Sequence, residues 1–100
     1  MPGAIRKEID NSAGHCYPPR AADAGSPDVI INGYPVVRVG DHYPTHCCGI
    51  VCHDGVASMG SSTVIVNGKP LHRVGDDISC GDIGANGSPN VMVGGEAGGA

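Results

Sequence analysis

"VIINGYPVVRVGD" at residues 29–41 and "VIVNGKPLHRVGD" at residues 64–76 decide how this chain folds. A shift of 35 residues lays one on the other, and nine of the thirteen positions are identical. In each copy an Asn-Gly pair, Asn32-Gly33 or Asn67-Gly68, separates two short aliphatic runs. Asn-Gly in that setting predicts a hairpin with a type I′ turn, because both central residues of the turn need positive φ. Pro35 and Pro70 follow each turn by two residues. Proline cannot donate to a ladder, so these positions belong at an edge or on an open side of the sheet. Gly25-Ser26 precedes the first copy and Gly60-Ser61 the second. A further shift of 27 brings Gly87-Ser88 into register and opens a third copy, "GSPNVMVG" at 87–94, which stops where the Asn-Gly turn would come.

One supersecondary unit used about three times cannot bury its apolar face alone. Two full copies and a partial one are too few for a linear solenoid, so closure around an axis is expected. Gly or Pro interrupts the chain every few residues, and no stretch of ten or more carries a helical apolar period. The expected fold is therefore mostly β, with little or no helix: a compact conical body of about three hairpin-like repeats in a pseudo-three-fold arrangement. Residues 1–100 read as one domain, with repeats near 14–41, 42–76 and 77–94 and with 1–13 and 95–100 as tails. The loops between copies are unlike in length and hold the histidines and cysteines. Closure would bring them together at one end.

The chain has 17 glycines, three Tyr, and neither Trp nor Phe. So thin a core calls for a staple, whether a disulfide, a metal or a partner surface. Five cysteines and five histidines supply the first two. The net charge is −4 and the six basic residues are scattered, which excludes a nucleic-acid surface built on counterion release. No apolar run approaches the ~20 residues of a membrane helix, so membrane insertion by the chain itself is not expected. The opening "MPGAIRKEIDNSAGHC" has no apolar core of a signal peptide. The expected location is the cytoplasm, with any exit by a route that reads no cleavable signal. In a reducing compartment, clustered Cys and His argue for metal before disulfides.

The repeated "NG-x-P-x-x-R-V-G-D", framed by Gly-Ser and an apolar strand, resembles the PAAR-repeat family, named for Pro-Ala-Ala-Arg. The tetrapeptide reads Pro35-Val36-Val37-Arg38 and Pro70-Leu71-His72-Arg73, without the Ala-Ala middle, while the surrounding spacing is kept. The resemblance covers residues 14–94. It implies a conical tip on the blunt end of a trimeric spike, either the VgrG-like spike of type VI secretion or the central spike of a phage tail. It further implies one monomer per trimer, sharpening for membrane puncture, and delivery to the target cell on the spike. Effectors or adaptors would be further, non-covalent partners, since no extension domain is present in these 100 residues.

The resemblance also implies one structural zinc near the apex, held by three histidines and a cysteine. In the repeat register these fall on His15, His46, His53 and Cys80. His42 competes with His46, and Cys52 with His53. Cys16, Cys47, Cys48 and Cys52 could bind metal, fill core or pair as a disulfide. On an extended chain Cys47 and Cys48 point to opposite faces, so one metal shell does not readily take both. His72, mid-strand, reads as a surface or interface side chain.

Arg38 and Arg73 recur in register beside Asp41 and Asp76, and read as braces rather than substrate ligands. Catalysis is not expected. No His-Glu-x-x-His helix is present, Glu8 and Glu96 are the only glutamates, and a strand-to-helix nucleophile elbow needs helix that the chain lacks. The readings from other classes are a small zinc-dependent enzyme or toxin, and a cysteine redox module.

Overall fold

The computed structural model describes residues 1–98, and no helix occurs among them. The chain forms four two-stranded antiparallel ribbons. Strands β1 (Ile30–Ile31) and β2 (Tyr34–Pro35) flank the first Asn-Gly turn. Strands β3 (His42–Cys48) and β4 (Val51–Val56) form the longest ribbon, and β5 (Gly60–Ser61) pairs with β8 (Ala97–Gly98). Strands β6 (Ile65–Val66) and β7 (Lys69–Pro70) flank the second Asn-Gly turn. Asn32 and Gly33 have φ of 52° and 85°, and Asn67 and Gly68 of 54° and 79°. Both turns therefore have the positive φ pair that their sequence predicts.

The third hairpin is built from the two ends of the chain. Residues 1–13, expected as a tail, are instead part of the body: Ala4 and Ile5 are fully buried. Ala4 N–H donates to Val91 O, as Val36 donates to Val29 O and Leu71 to Val64 O. Ser88 N–H donates to Ala4 O, as Ser26 donates to Val36 O and Ser61 to Leu71 O. Residues 3–7 thus stand where 35–39 and 70–74 stand in the other panels. The truncated copy at 87–94 lacks its turn because its second strand comes from the other end of the sequence. Residues 95–98, also expected as tail, reach β5 through β8. The last two residues of that expected tail lie outside the described residues.

Three panels then close on one another. Ile5 N–H donates to His72 O, His72 N–H to Val37 O, and Val37 N–H to Ile5 O, at 3.1, 2.9 and 2.9 Å. A second ring runs the opposite way, from Lys7 N–H to Pro35 O, Val39 N–H to Pro70 O, and Val74 N–H to Gly3 O. The prolines lose no bond here, because it is their carbonyls that face the next panel. The expected pseudo-three-fold is present at the level of backbone hydrogen bonds, and the body measures 38 × 25 × 21 Å along its principal axes.

Side chains repeat the symmetry. Arg6, Arg38 and Arg73 each make a two-pronged pair with a buried aspartate, Asp10, Asp41 and Asp76 respectively. The same aspartates accept the arginines' own backbone N–H groups. Bracing, not substrate binding, is the observed role of Arg38 and Arg73. The Asn turns serve the next panel: Asn32 Oδ1 accepts from Arg6 and Ser88, and Asn67 Oδ1 from Arg38 and Ser26. Where the third copy has no Asn, the Gly94 carbonyl accepts from Arg73 and Ser61 instead. The repeated glycine of Gly-Ser is required by close approach. A Cβ at Gly25, Gly60 or Gly87 would sit 2.9, 2.7 or 2.9 Å from a backbone carbonyl oxygen of the adjoining strand.

Successive side chains of a strand face opposite ways, and this splits the core into two layers. Ala4, Val36 and Leu71 join Val66 and Val93 in one cluster, on the side of the hairpins. Ile5 and Val37 join Ala22, Tyr43, Ala57 and Ile78 in the other, on the side of the loops. His72 occupies the third axial position of this ring. It is fully buried, not a surface residue as the sequence suggests, because its repeat position is that of Ile5 and Val37. Its Nδ1–H donates to the Met59 carbonyl at 2.7 Å, and Nε2 has no partner.

Candidate metal centre

The loop side of the molecule carries the β3–β4 ribbon. It begins with His42 opposite Val56 and Tyr43 opposite Gly55, then changes register so that His46 faces His53. Two residues, Pro44 and Thr45, oppose Asp54 across this irregularity. An extra residue in one strand shifts every later side chain by one position. Without it Thr45 would face His53. Pro44, with no N–H to lose, suits the unpaired position.

His15 arrives from the loop that precedes the first repeat. Its ligand nitrogen and those of His46 and His53 all lie within 4.8 Å of one another, close enough to hold one metal ion. The protonation pattern suits that use. His46 Nδ1–H donates to the Pro18 carbonyl at 2.9 Å, which leaves the Nε2 lone pair free, and that atom is 2.8 Å from His53 Nε2. A backbone carbonyl on the distal nitrogen is the usual way in which a metal-binding imidazole is oriented. Both nitrogens of His15 are shielded from solvent yet have no hydrogen-bond partner. Buried polar atoms without partners are costly, and an ion held between the three rings would engage one of these two nitrogens. The buried Asp82 carboxylate lies 3.6 Å from His15 Nδ1 and is oriented by the Gly14 and Ile83 N–H groups.

Proximity of the rings bears on the titration of His53. Desolvation, then the positive charges of His46 and His15, push the His53 pKa below its ordinary value. Tyr17, which the sequence reading did not single out, stacks on His53 with centroids 3.9 Å apart and planes 19° apart. Its ring also lies 4.7 and 4.9 Å from His15 and His46, so it covers the cluster. An aromatic next to the loop histidine was the available signal.

The competing residues are engaged elsewhere. His42 Nδ1 meets Asp23 at 2.8 Å and Nε2 meets Asp54 at 2.7 Å. These carboxylates raise its pKa, Asp54 most and then Asp23, against a small desolvation. Cys52 pairs with Cys47, and Cys16 with Cys48, as disulfides. The sequence argument for metal before disulfides does not hold for these four. Adjacent Cys47 and Cys48 pair with different cysteines, Cys52 and Cys16. Cys80 remains a free thiol, packed against the loop-side core. It lies over Gly55, where a Cβ would be 3.1 Å from the Cys80 Cβ, but it is not one of the residues grouped within 4.8 Å.

These features define a class: small, all-β proteins closed by an approximate three-fold axis, with loops that meet around a metal-ligand cluster. The sequence profile of the PAAR motif matches residues 44–97, more than half of the chain. The chain belongs to the PAAR-motif family, whose members are structural spike-tip proteins of type VI secretion systems and contractile phage tails. A comparison with curated proteins returns no match.

Proposed function

We propose that this protein caps a trimeric VgrG-like spike or phage central spike, one monomer per trimer, and that a single structural Zn²⁺ pins its loops into the point. The observation that carries the docking half is a matched set of exposed apolar side chains. Ile30, Ile65 and Met92 occupy the same position in the three panels and are 53%, 54% and 47% exposed. Because the panels are related by the pseudo-axis, these residues form a triangle around it, on the hairpin side. A three-fold spike end would meet three equivalent contacts. Burying the remaining half of each side chain would contribute about 1 kcal/mol apiece.

For the zinc half, His15, His46 and His53 supply three nitrogens, and Cys80 is the thiolate offered as the fourth ligand. Zinc in such a closed tetrahedral shell crosslinks loops and offers no open position for water. His46 is held in its ligand tautomer by Pro18 O, and Tyr17 shields the rings. The chain works as one unit that is made in the cytoplasm and travels to the target cell on its spike, and it has a mechanical role.

Two experiments test this reading. Co-purification with the trimeric spike protein of the same genome should succeed for the natural chain and fail for Ile30→Asp/Ile65→Asp. Binding that survives both charges, or absence of any spike binding, refutes the docking face. Metal analysis with X-ray absorption should find one zinc with three nitrogens and one sulfur. A water ligand in place of sulfur removes Cys80 from the set.

A further inference from the structure

Every histidine of the cluster has a half-cystine within two residues: Cys16 after His15, Cys47 and Cys48 after His46, Cys52 before His53. The pairing follows the same connections. Cys16–Cys48 spans 32 residues and ties the first loop to β3, hence the segment of His15 to that of His46. Cys47–Cys52 spans five residues and ties β3 to β4, beside the facing pair His46 and His53. Two disulfides thus join the three segments that one metal ion would join. We propose that thiol–disulfide exchange at these four cysteines sets the metal affinity of the histidine cluster. This inference rests on the metal reading above and adds regulation to it.

Preorganisation is the physical link. Closing the loop with a disulfide removes freedom that metal binding would otherwise have to remove, so the oxidised protein binds more tightly. Without Cys16–Cys48, the His15 segment keeps only non-covalent ties, among them the Asn11–Ala21 and Ser12–Gly84 bridges, Ala13 N–H to Ile83 O, Gly14 N–H to Asp82, and His46 to Pro18 O. Cys16 itself adopts a positive φ of 82°, a conformation that a non-glycine residue holds only when its surroundings impose it. Cys16, Cys47 and Cys52 are exposed, so small thiols can reach them.

The chemistry balances as ordinary exchange. Each thiol pair gives two electrons and two protons to a low-molecular-weight disulfide such as oxidised glutathione. One protein S–S bond forms and two small thiols are released; a reductant reverses the step. Coupling is reciprocal, so bound metal must also make the disulfides harder to reduce.

The test uses the full chain and Zn²⁺ alone. Affinity is measured by competition with a chromogenic chelator, once after oxidation by glutathione disulfide and once after reduction with a phosphine. Free thiols are counted by mass spectrometry in both states. The oxidised protein should bind at least about tenfold more tightly, within the usual range of such couplings. Each tenfold of coupling should also lower the reduction midpoint of the zinc-loaded protein by about 30 mV relative to the zinc-free one. Cys16→Ser/Cys48→Ser, which keeps Cys47–Cys52, should bind more weakly than the oxidised natural protein and gain less on oxidation; if that variant does not fold, the midpoint shift in the natural chain decides.

Equal affinities in the two states overturn the coupling while leaving the metal reading intact. So does tighter binding on reduction with added sulfur in the X-ray absorption shell, which would make the freed thiolates ligands rather than scaffold. Failure to form both disulfides with glutathione disulfide also overturns it. Absence of zinc binding in either state is a different result, and removes the metal reading together with its regulation.

Discussion

Replacing Arg73 by methionine should unfold much of this protein's margin of stability. The Arg73 and Asp76 side chains are only 4% and 6% exposed. The guanidinium donates twice to Asp76, at 2.9 and 3.1 Å, and also to the carbonyls of Gly94 and Gly95. Methionine keeps the aliphatic stem but removes all four bonds. Asp76 is then left as a buried carboxylate that keeps the bond from the residue 73 N–H. Removing one partner of a buried pair costs about 3–5 kcal/mol, chiefly for the stranded charge. A domain of this size has about 5–15 kcal/mol in total. At roughly 4–8 °C per kcal/mol, the melting temperature should fall by roughly 12–40 °C. Circular dichroism melts and urea midpoints on the metal-loaded protein measure this. Arg73→Met/Asp76→Leu should recover most of the loss, since an apolar pair of similar volume removes the stranded charge. A loss below about 1 kcal/mol in the single variant would place the pair among surface ion pairs and refute the bracing argument. Failure of the double variant to recover would refute its electrostatic part.

Four other changes read other parts of the fold. Burial lowers the His72 pKa, against the opposing bond to Met59 O, so the unfolded chain takes up more protons below about pH 6.5, the ordinary value for histidine. Stability should therefore fall with acidification through that range, and His72→Val should lessen this acid loss while matching the natural protein at pH 8 in parallel urea titrations. His42 is the opposite case. Its bonds to Asp54 and Asp23 raise its pKa, so its contribution is present below pH 6.5 and lost as pH rises through the folded value. NMR titration should find His42 above 6.5, returning toward it in Asp54→Asn. Gly60→Ala puts a methyl 2.7 Å from the Leu71 carbonyl oxygen and should cost about 1–3 kcal/mol in chemical denaturation. Gly68→Ala meets no atom within 4 Å, and should instead lose roughly 1 kcal/mol to its positive φ of 79°.

Short-range features were legible because their causes are local. Asn32-Gly33 and Asn67-Gly68 can satisfy a type I′ turn wherever they occur, and the turns are where the residues put them. Arg38 with Asp41 and Arg73 with Asp76 lie three residues apart, so their pairing needs no long-range information. The same pair was missed at Arg6 and Asp10, where Glu8 takes the positive-φ place of Gly40 and Gly75 and one extra residue, Ile9, stretches the spacing to four. Ile5-Arg6 echoing Val37-Arg38 was the signal that residues 1–13 are not a tail. His15, His46 and His53 were implied by the family resemblance, placed through the repeat register, but what brings His46 to face His53 is the irregularity at Pro44-Thr45. No composition rule announces that shift.

By itself the sequence determined the repeated hairpin and the absence of helix among the described residues, since turn chemistry and a register of identical residues act over a few positions. Tertiary structure alone decided that residues 3–7 complete the panel begun at 87–94. Closing a ring joins the two ends of the chain, and that pairing depends on backbone donors and acceptors some 80–90 residues apart. It decided too that His72 is axial and buried, that His42 turns to Asp23 and Asp54, and that four cysteines pair around the histidines. Each of those outcomes depends on which side of the closed ring a side chain meets, and a strand shows its sides only once its neighbours are in place.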